Sequence, residues 1–366
     1  MILTAVWSQA SLAHDPDGEV WIGVPIEGDE TPPRGNAMRA AIDGAGLNVI
    51  PPEQHADAPI LAVHDPGMLT YLKTAHADWV AAGYPEKHGQ DHVVAYAFRH
   101  PGAFDHSGKV EPQSRAARAG VYCLDTCTTI GPGSYRGIRY AVDAALTAAD
   151  LVLSGSGNAY AATRPPGHHS GTNFFGGSCY LNNAAITAQY LLDTGAARVG
   201  IVDIDAHHGN GTQQIFYERE DVVYTSVHID PGEGWYPHWS GFADESGSGN
   251  GEGYNRNIPL ASGSGDEQFV AAVQQLAGFV DEKGCEGLVV SLGVDAGSED
   301  ENSPLNVTAE GFGRTAELLA GLSMPTVLVQ EGGYHLLSLE RDLGAILSRF
   351  SSSGRSDRGP NVVGAH

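Results

Sequence analysis

One stretch restricts the folds open to this chain more than any other, the run Val-Gly-Ile-Val-Asp-Ile-Asp-Ala-His-His-Gly-Asn-Gly from Val199 to Gly211. An apolar, β-branched segment is an element buried on both faces, the mark of a central strand in a parallel sheet. It ends in Asp203, Asp205 and His207 and breaks at Gly209. In extended backbone, residues two apart point to one side. The three side chains therefore converge beyond the strand's C-terminal end, where open α/β sheets place their sites. A carboxylate and an imidazole at that spacing are good first ligands for Zn²⁺. Desolvating such groups without a partner or a task is costly.

The flanking chain fits the same architecture. Strands are expected at Ile2–Trp7, Leu47–Ile50, Ala159–Thr163, Val199–Asp203, Val222–His228, Gly287–Leu292 and Thr326–Gln330. Helices are expected at Asn36–Gly46, Met68–Ala82, Ser134–Ala149, Asn182–Leu192, Gly211–Tyr217, Asp266–Lys283, Thr308–Leu322 and Leu336–Phe350. Helices alternating with apolar strands predict a three-layer α/β/α domain around a mainly parallel sheet. Residues 8–34 and 84–119 show no clear periodicity and are expected to be irregular. The histidines at 88, 92, 100 and 106 are scattered and expected at the surface. A catalytic domain over 1–350 is expected, followed by a disordered Ser/Gly/Arg-rich tail, 351–366.

Charge narrows the partners. With 20 Lys+Arg against 44 Asp+Glu, the net charge is −24. That argues against a nucleic-acid or anionic-membrane partner and would attract cationic substrates. The four cysteines (Cys123, Cys127, Cys179, Cys285) have no zinc-finger spacing and are expected as reduced thiols in a cytoplasmic protein. The N-terminus lacks a basic n-region and reads as a strand, and no apolar run is long enough to span a membrane.

Other strand ends add unusual polar groups. Arg164-Pro-Pro-Gly-His168-His169 offers two imidazoles suited to acid–base work. Ser291-Leu-Gly-Val-Asp295 supplies a second carboxylate, and Gln330-Glu-Gly-Gly-Tyr334 a phenol after two glycines. Ser226-Val-His-Ile-Asp230 ends a fourth strand. Asp205, His207 and Asp295 make a three-residue ligand set with an open fourth position, the catalytic pattern for one zinc ion. Such a metal polarises a carbonyl and activates water, a neutral histidine takes the proton, and the Tyr334 hydroxyl donates to the oxyanion. The chemistry is amide hydrolysis.

The motifs RPPGHH, GGSCYLNN, DIDAHHGNGTQ, SLGVD and EGGY strongly resemble the zinc-dependent histone deacetylases, from about Ile60 to Phe350. The stretch from His228 through Pro259 is most similar to bacterial acetylpolyamine amidohydrolases and class II-like deacetylases. The resemblance implies the arginase/deacetylase fold and removal of acetyl or related acyl groups from an acetylpolyamine or an acyl-lysine. It makes Asp205, His207 and Asp295 the zinc ligands, His169 the general base, and His168 its electrostatic or acidic partner. Asp203 pairs with His168, Asn210 with His169, and Tyr334 is the transition-state donor. Gly177 receives the substrate N–H, and Tyr236 lines the acyl channel.

The resemblance also implies a structural K⁺ or Na⁺, with Asp203, Asp205, His207, Ser226 and Val227 at an inner site and Phe216, Arg219 and Val222 at an outer one. It further implies a homodimer in which residues 84–119 narrow the mouth. The chain departs from the pattern at Ser178, where an aromatic wall is usual, so one wall of the channel is expected to be missing, leaving a wider tube, or to be supplied by Phe174 or Phe175. It departs again at Arg115 and Arg118, where a carboxylate helps bind a distal amine; Glu299, Asp300 and Glu301 are the expected substitutes. Two other readings are an arginase-like binuclear hydrolase, which would need carboxylates where Gly209 and Gly293 stand, and a silent acyl-amine-binding scaffold, which should have lost a ligand, histidine or tyrosine.

Overall fold

The computed structural model describes residues 3–100 and 112–353. Among the described residues there are ten strands: β1 (Leu3–Val6), β2 (Glu19–Trp21), β3 (Val24–Ile26), β4 (Asn48–Ile50), β5 (Asn158–Ala161), β6 (Val199–Asp203), β7 (Val222–Ile229), β8 (Asn255–Leu260), β9 (Gly287–Leu292) and β10 (Thr326–Gln330). Eight form one sheet in the order β4-β1-β5-β10-β9-β6-β7-β8, and every pair is parallel. β5, β6, β7, β9 and β10 are buried along their whole length, as apolar strands covered on both faces must be.

Alternation along each strand feeds two cores. Val199 and Ile201 of β6 join one, with helices Pro66–Ala81, Ser134–Leu153 and Asn183–Asp193. Val202 joins the other, with helices Pro32–Gly44, Asp266–Glu282, Ala309–Gly321 and Leu336–Ser353. Gly200 lets the second layer close in: a Cβ there would sit 2.4 Å from Val280 Cγ1.

The expected three-layer arrangement is present, with local differences. Residues 8–34 hold a short 3₁₀ turn (Gln9–Ala13) and the β2–β3 hairpin. The first long helix starts at Pro32, not Asn36, because Pro32 and Pro33 occupy its first positions, where a missing N–H costs nothing. The stretch 84–119 contains a one-turn helix, Tyr84–His88, and the start of helix Arg115–Tyr122; His106 lies outside the described residues. Strand β8 carries no expectation, because Asn-Arg-Asn-Ile-Pro-Leu reads as polar. Asn255 and Asn257 face inward, and both donate to Gln213 Oε1. Ser351–Ser353 continue the last helix, and the remainder of the expected tail lies outside the described residues.

Candidate active site

The chain runs outward from β6 through β7 to β8, then returns to the other side of β6 for β9 and β10. The strand order therefore reverses beside β6, and ligand sites open at the carboxyl ends of such a switch point. Five neighbouring strands, β5, β10, β9, β6 and β7, end there. Their register places Asp203 opposite Ser291 on one side and Ser226 on the other.

Asp205, His207 and Asp295 come together, with their ligand atoms all within 4.8 Å of one another. His207 Nδ1 lies 3.3 Å from Asp205 Oδ1 and 3.1 Å from Asp295 Oδ2. Both carboxylates are fully buried. Burial and the Asp205 charge push the Asp295 carboxyl up from the ordinary carboxylate range. Two desolvated carboxylates aimed at one imidazole nitrogen form a donor set that fits a divalent cation. The backbone holds them: Ala206 N–H donates to Asp295 Oδ1 (2.8 Å), and Gly332 N–H to Asp205 Oδ2 (2.7 Å). Such outer contacts orient metal ligands. A second trio, His168, Cys179 and Glu331, is equally close. It suits a metal poorly, because burial pushes the Cys179 thiol well up and Glu331 Oε2 already accepts the Gly167 and His168 N–H groups.

The tandem histidines differ in their partners. His168 Nδ1 is 3.0 Å from Asp203 Oδ2, which also accepts the Tyr224 hydroxyl at 3.2 Å. Burial works against a charged His168, but the Asp205 and Asp203 carboxylates outweigh it and push the imidazole up to about 10. His169 Nδ1 is 2.7 Å from Asn210 Oδ1, a neutral acceptor. Burial, then the positive charge of His168 and His207, holds His169 well below the ordinary range. The two rings lie 4.1 Å apart between centroids, and their surroundings shift them in opposite directions. Environments that split two like groups in this way separate an electrostatic role from a base.

Tyr334 follows Gly332 and Gly333. Burial holds its phenol well above the usual range, so it stays a hydrogen-bond donor. Its ring lies under the Arg34 guanidinium at 4.6 Å, and Arg34 also donates to the carbonyls of Gly333 (2.6 Å) and Glu331 (2.8 Å). Arg34 pairs with Glu30, which also meets Arg164. Gly177, at φ +56°, packs between His169 and Tyr236: a Cβ there would meet His169 Cδ2 at 2.4 Å and Tyr236 Cε1 at 2.9 Å. Asp125 Oδ2 ties the same wall, accepting Gly177 N–H at 2.6 Å and the Tyr236 hydroxyl at 3.4 Å.

Several expectations are corrected. Phe175 is buried in the core, stacked between Tyr71 and Tyr180, so it lines no channel. Phe174 is half-buried with its ring edge against Gly171. Ser178 itself is half-buried at φ +59°, and its N–H donates to Thr128 Oγ1. Arg115 and Arg118 reach Asp78 on helix Pro66–Ala81. Glu299 pairs with Arg341, and Asp300 turns inward to the Tyr334 backbone, so neither is a free acid for a distal amine. Among the monovalent-cation candidates, Asp203 and Ser226 are paired across β6 and β7, with Val227 next. Phe216 ends helix Asn210–Phe216, its carbonyl accepting Arg219 N–H, and Val222 opens β7.

Arg34, Asp125 and Glu331 do not feature in the sequence-based site. Glu331 stands inside the EGGY motif and could have been read as buried. Arg34 and Asp125 sit in loop-like sequence far from any strand end, and only tertiary packing brings them in.

Comparison with known proteins places the chain in a family. The histone deacetylase domain model matches residues 29–350. The acetylpolyamine amidohydrolase of Burkholderia pseudomallei (strain 1710b) is 40% identical over 323 residues, 88% of this chain and 91% of the relative. That of Mycoplana ramosa is 35% identical over 350 residues, 94% and 98% of the two chains. A crystal structure of acetylpolyamine aminohydrolase from Burkholderia pseudomallei superposes with a TM-score of 0.89 at 37% identity, covering 96% of this chain and 99% of that one. The chain therefore belongs to the histone deacetylase family and is an amide hydrolase, a deacetylase of acetylated amines.

Proposed function

We propose that this enzyme removes the acetyl group of an acetylated polyamine, using one zinc ion held by Asp205, His207 and Asp295. The observation that carries the reading is the meeting of that trio, at one sheet edge, with the His168–Asp203 and His169–Asn210 pairs and with Tyr334. The family is generally zinc-dependent. Zinc in this position supplies Lewis acidity toward the acetyl carbonyl and lowers the pKa of water. The protein does the rest. His169, kept neutral by burial and by Asn210, takes the proton of the attacking water and returns it to the leaving amine. His168, held charged by Asp203, stabilises the negative charge that develops. Tyr334 donates its hydroxyl to the oxyanion. The Gly177 carbonyl accepts the substrate N–H, and Tyr236 and Ser178 flank the slender chain.

The polyamine reading is favoured over acetyl-lysine by relatives of that name across nearly the whole chain, and by the net charge of −24, which attracts a polycation. The arginase-like and silent-scaffold readings are not favoured. A panel of acetylputrescine, acetylspermidine and acetyl-lysine peptides tests the reading. Higher kcat/KM on the polyamines is expected, and a preference for the peptides refutes it.

We make four further proposals. K⁺ or Na⁺ sits at Asp203, Asp205, His207, Ser226 and Val227, with a second ion at Phe216, Arg219 and Val222. The chain pairs with a second copy through 84–119, where Tyr96 and Phe98 are exposed. Residues 1–350 act as one catalytic domain. The enzyme works in the cytoplasm; among the described residues no helix is long and apolar enough to cross a membrane.

A further inference from the structure

Tyr334 follows two glycines, Gly332 and Gly333, the latter at φ +122°. Such a segment has little conformational preference of its own, so the position of the phenol must be set from outside. Arg34 holds the carbonyls before it and covers the ring. The other anchor is Asp300. Its Oδ2 accepts the backbone N–H of Tyr334 at 2.6 Å and of His335 at 3.1 Å. Its Oδ1 is occupied by Asn302, through N–H at 3.1 Å and Nδ2 at 3.3 Å. Asp300 is buried, and its hydrogen bond to the tyrosine is to the backbone N–H.

Two features make this carboxylate more than a loop tie. The helix Leu336–Ser353 begins immediately after His335, with Leu339 N–H bonded to the His335 carbonyl, so Asp300 lies at its positive end and caps it from another part of the chain. Asp300 also sits on the loop that leaves Asp295. Asp300 N–H bonds the Gly297 carbonyl, and Gly297 N–H bonds that of Val294. One short loop therefore carries a candidate zinc ligand at one end and the clamp on Tyr334 at the other. The separation between metal and oxyanion donor is set by a loop only a few residues long.

We infer that Asp300 is a positioning residue for Tyr334, locking the hydroxyl at the distance from the Asp205–His207–Asp295 centre that the reaction needs. The inference rests on the proposed catalytic role of Tyr334. Losing the clamp leaves the metal ligands and channel walls in place and frees only the phenol.

The test is a four-enzyme cycle of the parent, Asp300→Ala, Tyr334→Phe and the double variant, each with zinc content and steady-state kinetics measured. Asp300→Ala should keep its zinc and a KM within about threefold of the parent while kcat falls about 10- to 100-fold, the signature of an interaction made in the transition state. In the Tyr334→Phe background the same substitution should change kcat less than about threefold, because residues acting through one group are non-additive. Equal losses in both backgrounds, or loss of zinc with kcat, overturn the inference while leaving the reading of Tyr334 intact. A Tyr334→Phe enzyme as fast as the parent overturns both. If Asp300→Ala does not fold, Asp300→Asn keeps the shape and one acceptor oxygen, and its smaller loss must vanish in the same way.

Discussion

Gly332 is the residue through which the proposed metal centre can be disturbed most cleanly. A Cβ built there would lie 2.4 Å from Asp295 Oδ2 and 2.6 Å from Asp205 Oδ2, whereas side-chain Cβ atoms essentially never come within 3.0 Å of a neighbour. Gly332 is not in the left-handed region, so alanine adds no backbone strain of its own. The clash must be relieved by moving the two carboxylates by about 0.6 and 0.4 Å, or by moving Gly332 and losing its N–H bond to Asp205. Both carboxylates are fully buried and have nowhere to retreat. Zinc–ligand distances tolerate about 0.2 Å, so either response exceeds what the coordination allows. Disturbing contacts of this kind typically costs 10- to 100-fold in metal affinity. We expect Gly332→Ala to weaken zinc binding by about that factor, measured by competition against a chelating dye, and to regain part of its turnover in excess zinc. A variant that binds zinc as tightly as the parent would show that these two carboxylates do not hold the metal.

Other perturbations probe separate parts of the account. Asn210→Asp gives His169 a charged partner, which raises a histidine pKa by about 1–3 units; because the base must be neutral, the acidic limb of kcat/KM should move to higher pH, and an unmoved limb argues against His169 as base. Ser178→Tyr should raise kcat/KM for slender acetylated chains relative to bulkier acyl groups, since Phe175 is taken up by Tyr71 and Tyr180; equal losses across a substrate panel would contradict this. His55 lies 3.6 Å from Asp143 and 3.0 Å from Asp150, and bonding to Asp143, against some desolvation and with help from Asp150, raises its pKa. A raised histidine stabilises the fold fully below its unfolded value of about 6.5 and loses that contribution as pH rises through the folded value. His55→Gln should therefore cost up to about 1 kcal/mol near pH 5.5, the scale of a partly exposed pair, and less at alkaline pH; a pH-independent difference in denaturant midpoint would refute it.

Much of this is legible in the chain because the strands that carry the site are apolar on both faces and end abruptly in polar groups. Val199–Asp203 is such a strand; Asp205 and His207 follow it in bends held by Asp203 and Asp205 themselves, whose Oδ1 atoms accept the N–H two residues on. Strand β8 is hidden by the opposite property: its inward residues are Asn255 and Asn257, whose burial depends on a distant glutamine. Asp300 looks like one of three surface acids in Glu-Asp-Glu, and only the approach of the Tyr334 backbone from another strand turns it inward. Phe175 fails for a related reason. Sequence adjacency to Gly177 and Ser178 suggests the channel, but its ring is taken by Tyr71 and Tyr180.

The most direct measurement is a zinc titration of metal-free enzyme, following release of acetate from acetylputrescine alongside bound metal. The account predicts no turnover without metal, a linear rise that ends at one zinc per chain, and neither binding nor turnover in Asp295→Ala. Full turnover by the metal-free protein, or an Asp295→Ala enzyme that binds zinc and works at the parental rate, would contradict it.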